Sequence, residues 1–96
     1  MLRFNASAAS MQAEWRLLRM AKAMGLGHCD PTGHTLAEAV QTLNQRLGLP
    51  AGLAELGVDP SMFERAVTGA MADHCHRSNP RLATREDDLA MLASSL

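Results

Sequence analysis

Pro80 places the tightest single constraint on what this chain can fold into. Its ring fixes φ and removes a backbone donor, and it biases Asn79 away from the helical region, so a helix ending near His74 or Cys75 cannot run on through Asn79. The next helix has to restart. Thr84 is placed to cap it, with Asp87 three positions on and Glu86, Asp87 and Asp88 in the first turn, where the helix dipole and unpaired N–H groups favour negative charge. Leu89, Leu92 and Leu96 follow as its apolar stripe. The stretch from Asp73 to Asp88 therefore reads as helix, rigid turn, helix. Asn79 is expected to satisfy loose backbone groups there, Pro80 to hold the turn, and Arg81 to pair with a carboxylate or a helix C-terminus.

The rest of the chain carries the 3.6-residue period. Met11, Trp15 and Leu18, with Leu17, Ala21 and Met24 as a second edge, predict an amphipathic helix over about residues 7–24, closed by Gly25 in a left-handed cap. Thr35 with Glu38 three residues later forms a capping-box signature, followed by Leu36, Val40, Leu43 and Leu47 on one face of a helix over 36–47. Asp59-Pro60 is a cap followed by proline at the first helical position, and Met62, Phe63, Val67 and Met71 give the stripe of a helix over 60–74. The last helix spans about 85–94. Residues 50–57 are short and glycine-bearing, a helical connector pinned by Leu53 and Leu56, and residues 26–34 are a loop. Trp15 and the methionines are expected in the core.

Composition enters to decide helix against strand. The 96 residues contain no isoleucine or tyrosine and valine only at positions 40, 58 and 67, while leucine, alanine and methionine supply most of the apolar content. That bias favours helix, so the fold expected is all-α, a small bundle of about four helices in one domain covering residues 1–96. A formal charge of −1 and three aromatic residues provide neither the electrostatic footprint nor the stacking platform of a nucleic-acid binder. No apolar run approaches the ~20 residues of a membrane span, and no signal-peptide core opens the chain, which reads as cytoplasmic. Cys29 and Cys75 make a pair without a framework and are read as reduced thiols.

Two clusters hold metal-type ligands: His28-Cys29-Asp30 with His34, and His74-Cys75-His76. Their spacing argues against a native metal site, because adjacent ligands on a helix end point to different sides and no Cys-x-x-Cys or His-x-x-x-His pair occurs. Cys75 by itself reads as a small buried thiol at a helix end.

The pattern Asp-x-Cys-x-x-x-Asn-Pro-Arg at residues 73–81, followed by Thr84 and an acidic helix start, resembles the C-terminal end of the iron-dependent (group III) alcohol dehydrogenase family. Leu2-Arg3-Phe4-Asn5 is similar to the end of that family's long metal-site helix, Trp15 to Gly25 to its Leu-Ala-x-x-Met-Gly helix, and Leu47-Gly48-Leu49-Pro50 through Leu53 to Val58 to its Leu-Gly-Leu-Pro…Leu-x-Glu-Leu-Gly-Val stretch. The resemblance covers the chain from end to end.

It implies the helical C-terminal portion of a dehydroquinate synthase-like, iron alcohol dehydrogenase fold. The piece would come from a longer subunit whose N-terminal dinucleotide-binding domain and metal-site helices are missing here. The whole would transfer hydride between NAD(P) and an alcohol or aldehyde, with iron or another divalent metal as Lewis acid. The family's metal is held by one aspartate and three histidines that precede the matched segment. None of His28, His34, His74 or His76 corresponds to them, and no Gly-x-Gly-x-x-Gly occurs, so the chain itself is expected to hold no cofactor and to be inactive alone. In some members the cysteine matching Cys75 lies beside the substrate pocket, which makes Cys75 the pocket residue implied here. The expected partners are the remainder of the subunit and, for the isolated chain, a second copy in a dimer. A free-standing helical interaction module and a small zinc-binding helical protein are the competing readings.

Overall fold

The computed structural model describes residues 1–96, with the side chain of Glu14 set aside. Among the described residues every regular element is helical, as the leucine-, alanine- and methionine-rich composition requires. Six α-helices run in order: α1 Leu2–Asn5, α2 Ala9–Gln12, α3 Arg16–Ala23, α4 His34–Arg46, α5 Phe63–Ala72 and α6 Arg85–Ala93. Short 3-10 turns occupy Ala13–Trp15, Leu53–Leu56, Pro60–Met62 and His74–Ser78. The chain gathers into two compact units, Met1–Leu49 and Pro50–Leu96.

In the first unit, Ala6, Leu17 and Leu36 form a dry cluster, with Leu2, Met11, Leu26 and Cys29 packed around it. Leu36 is fully buried, and α1 and α3 both pack against α4. Gly33 is what lets α1 approach: its φ is +70°, and a Cβ there would sit 3.2 Å from the Ala6 Cβ. At the other end of α3 the backbone closes in a Schellman motif, with Leu26 N–H on the Ala21 carbonyl at 2.9 Å and Gly25 N–H on the Lys22 carbonyl at 3.0 Å. Gly25 is left-handed there, φ +76°, as the sequence requires.

The long helix expected over 7–24 is broken. Trp15 adopts φ +55°, ψ +37°, an unfavourable left-handed conformation for a bulky residue, and α3 starts immediately after it. The break resets the helical phase, so the edge that goes inside is Leu17 and Ala21, while Met11 and Leu18 are half-buried. Trp15 is 76% exposed and is not a core residue. The methionines are corrected likewise: Met20, Met24, Met62 and Met71 all lie exposed.

Helix α4 also departs from the expectation at both ends. It starts at His34, one residue before Thr35, and Gly33 rather than Thr35 occupies the cap position. The carboxylate that satisfies its first N–H groups is Asp30, which accepts from His34 N–H at 3.2 Å, Thr35 N–H at 2.8 Å and the Thr35 hydroxyl at 2.7 Å. Glu38 pairs instead with His34, one turn away at 3.1 Å. Beyond Val40 the stripe is uncovered: Leu43 and Leu47 are exposed, as is Leu49 after the helix.

In the second unit, α5 packs on α6, and Phe63, Val67 and Ala83 are its buried apolar groups. Asp59 caps the entry to α5, accepting from Ser61 N–H at 2.7 Å with Pro60 at the first position. The connector is a 3-10 turn whose leading N–H groups are taken by the end of the chain. Leu53 N–H donates to the Ser95 carbonyl at 2.7 Å and Ala54 N–H to the Leu96 carbonyl at 3.3 Å. Gly52 makes this docking feasible, since a Cβ there would lie 2.3 Å from the Leu96 oxygen.

Candidate functional site

The turn between α5 and α6 is built from backbone rules upward. Helix α5 stops at Ala72 because Asp73 turns extended, φ −74° and ψ 135°, and its carboxylate takes Cys75 N–H at 2.7 Å. His74–Ser78 then forms a 3-10 turn, tied by the Ser78 hydroxyl donating to the Cys75 carbonyl at 2.8 Å. Asn79 is extended, φ −65° and ψ 137°, as Pro80 after it demands. Its side-chain amide donates to the Arg81 carbonyl. The Arg81 guanidinium lies 3.9 Å from Asp87.

Helix α6 opens on a reciprocal capping box. Thr84 N–H donates to the Asp87 carboxylate at 3.0 Å, and Asp87 N–H donates to the Thr84 hydroxyl at 3.2 Å. The Thr84 backbone N–H, with the Thr84 hydroxyl and the Arg81 charge, holds the Asp87 carboxyl below the usual carboxylate range. Arg85 reaches across to Glu64 on α5.

The three neighbours His74, Cys75 and His76 part company. His76 turns inward, its Nε2 3.1 Å from the Asp88 carboxylate, with the two side chains only 13% and 12% exposed. That pair fastens the 3-10 turn to α6. Cys75 stays exposed instead of burying its thiol, because α5 has already ended and the 3-10 turn carries it to the surface. Its Sγ is 3.5 Å from the His74 Nε2. A hydrogen bond accepted by the Asp73 carboxylate, reinforced by that residue's negative charge, pushes the Cys75 thiol up from its ordinary value. The donor atoms of Asp73, His74 and Cys75 all lie within 4.8 Å of one another, all on exposed residues. The sequence-level expectation that adjacent ligands diverge therefore applies to His76 and not to His74.

The first unit contains a cavity of about 260 Å³ lined by Met11, Gln12, Trp15, Leu17, Leu18, Cys29, Asp30 and Pro31. Gln12 braces it, its amide donating to the Pro31 carbonyl at 3.1 Å. Asp30 sits at its rim with its carboxyl held far below the usual range by the Thr32 and Thr35 hydroxyls and the Thr35 and His34 N–H groups. Neither the capping role of Asp30 nor Asp88 as partner of His76 was drawn from the sequence. The signal for Asp30 was present in Asp30-Pro31-Thr32, where a side-chain carboxylate and a hydroxyl two residues on favour a local turn.

A sequence profile described as Fe-containing alcohol dehydrogenase family, C-terminal, matches residues 1–96. The chain belongs to the iron-containing alcohol dehydrogenase family. It is 42% identical over 95 residues to a 4-hydroxybutyrate dehydrogenase of Cupriavidus necator, a match covering 99% of this chain and 24% of that protein. It is 36% identical over 87 residues to alcohol dehydrogenase 4 of Saccharomyces cerevisiae, covering 88% of the chain and 22% of the relative. An NAD-dependent methanol dehydrogenase of Bacillus methanolicus is 36% identical over 58 residues, 60% of the chain and 15% of that protein. The chain thus spans a quarter or less of the length of these relatives. No solved structure matches it.

The family's iron finds no matching donor set among the described residues. The metal-type side chains that do converge include one imidazole, that of His74; His76 is engaged by Asp88, and His34 by Glu38. A set of one aspartate and three histidines is not assembled from these groups.

Proposed function

We propose that this chain is the C-terminal helical part of a longer subunit that interconverts an alcohol and an aldehyde with NAD(P) and a divalent metal, iron in the family's name. The observation that carries the reading is the profile match over residues 1–96, together with 42% identity to a 4-hydroxybutyrate dehydrogenase along 99% of the chain. That relative's name favours a short hydroxy acid as the substrate class, and the methanol dehydrogenase relative's name a small alcohol. Metal and nicotinamide sites belong, on this reading, to the parts of the subunit outside these residues. This segment contributes the helical scaffold and, through the exposed Cys75 on its turn, one wall residue of the substrate pocket. The 96-residue chain alone is inactive on this account.

The proposal is tested by reading the genomic sequence upstream of Met1. A continuous reading frame carrying a Gly-x-Gly-x-x-Gly strand-turn-helix and an Asp-plus-three-His set supports it; a stop codon immediately upstream, with a 96-residue product in cells, favours a free-standing interaction module. The exposed apolar residues Leu43, Leu47 and Leu49 support a further part of the reading, that the isolated chain pairs with a second copy. Sedimentation equilibrium of a clean monomer at micromolar concentration would remove that part.

A further inference from the structure

We propose that Asp73, His74 and Cys75 form a binding site for a divalent late transition metal of the zinc type, separate from the family's iron. The geometry points to it through one distance. Zinc bonds of ~2.3 Å to sulfur and ~2.05 Å to imidazole nitrogen, at a tetrahedral angle, place the two donor atoms about 3.6 Å apart. Cys75 Sγ and His74 Nε2 stand 3.5 Å apart before any ion is added.

The backbone explains why consecutive residues converge. Asp73 is extended and His74 begins a 3-10 turn, and across that step the three exposed side chains come close together. All three donor atoms lie within 4.8 Å of one another, and small side-chain rotations bring them to bonding separations. The His74 side chain is 94% exposed, with its Nδ1 3.6 Å from an Asp73 carboxylate oxygen and its Nε2 toward Cys75, so the adjustment asked of it is a rotation at the surface that brings the Asp73 carboxylate to the Nε2 side. Asp73 uses one carboxylate oxygen to hold Cys75 N–H and has a second to offer. His76, locked to Asp88, keeps the turn in place without competing for the ion. Thiolate, imidazole and carboxylate together select zinc, cobalt, nickel or copper over magnesium and calcium.

The ion bonds to the thiolate, so the Cys75 proton leaves for solvent as the metal–sulfur bond forms.

The test is titration of the reduced chain with Co²⁺, read by thiolate-to-cobalt charge-transfer absorption in the near ultraviolet, with Zn²⁺ displacing the signal. One equivalent is expected to develop the band, Cys75→Ser to abolish it, and His74→Gln to weaken binding by about 10-fold or more, at least the effect of losing an outer-shell partner. Cys29→Ser is expected to leave the titration unchanged. Circular dichroism of each variant checks that the helices persist, and these exposed positions do not support the core. Absence of a charge-transfer band in the wild-type chain overturns the proposal. So does a band that survives Cys75→Ser or disappears in Cys29→Ser.

Discussion

The two units of the chain are held by different physics. Met1–Leu49 has a dry apolar cluster of Ala6, Leu17 and Leu36, reached by a loop that must fold back so that Asp30 can cap α4 and Gln12 can reach Pro31. Pro50–Leu96 buries few large side chains, Phe63 and Val67 among them, and relies on short-range polar closures: Asp59 on Ser61, Asp73 on Cys75, and the Thr84–Asp87 box. The first is centred on apolar contacts between residues far apart in sequence, while the second combines closures two or three residues long with the longer polar ties His76–Asp88, Glu64–Arg85 and Leu53–Ser95. Substitutions should therefore act on the first unit chiefly through packing and on the second chiefly through its polar ties.

The largest expected effect is Leu36→Ala, which empties the centre of the first unit. A loss of about 2–5 kcal/mol is expected, seen as hydrogen-exchange protection lost in residues 1–49. A loss below about 1 kcal/mol would mean that this cluster is not the core. Next comes Gly52→Ala. Its Cβ would collide with the Leu96 carbonyl at 2.3 Å, so the Leu53 and Ala54 amides should lose protection, at about 1–3 kcal/mol. Full retention of that protection would show that the chain end docks elsewhere.

Thr84→Ala removes one half of the α6 box and should destabilise that helix by about 1 kcal/mol, with fraying confined to its first turn. Trp15→Gly separates the broken-helix structure from a continuous helix most cleanly. Relief of the left-handed backbone offsets the entropy of glycine, so stability should change by less than about 1 kcal/mol. A core tryptophan would lose about 3–5 kcal/mol. Asp30→Asn is read through its pH dependence, with a sign fixed by linkage. Asp30 titrates lower in the folded state than in the unfolded one, so its contribution is complete above about pH 4 and disappears as pH falls through the folded value. The variant should flatten the acid limb of the stability curve, and an unchanged limb would remove Asp30 from the cap.

What could be read from the sequence divides by sequence separation and not by unit. The Thr84 box, the Asp59-Pro60 entry and the closure at Gly25 depend on residues within a few positions, and spacing alone located them. Thr35 and Glu38 formed an equally good local pattern and failed, because Asp30 supplied a better acceptor from a loop whose path spacing does not specify. Trp15 failed for a related reason. Periodicity assumes one unbroken helix, and a single left-handed residue rotates everything after it, exchanging the Trp15 edge for the Leu17–Ala21 edge. At the turn, spacing described His76 correctly as diverging from its neighbours but not the convergence of His74 with Cys75, since it took a helix end where the chain makes an extended step at Asp73.

The central claim, that these residues are a working C-terminal segment of a metal- and NAD(P)-dependent dehydrogenase subunit, is tested most directly by a chimera. The matched segment of the Cupriavidus necator 4-hydroxybutyrate dehydrogenase is replaced by residues 1–96, and the nicotinamide-linked oxidation of 4-hydroxybutyrate is measured. The account predicts a folded chimera that retains activity, with Cys75→Trp in that chimera changing kcat/KM among alcohols of different length more than the KM for the cofactor. A chimera that folds, assembles and binds metal and nicotinamide yet oxidises no alcohol would contradict it.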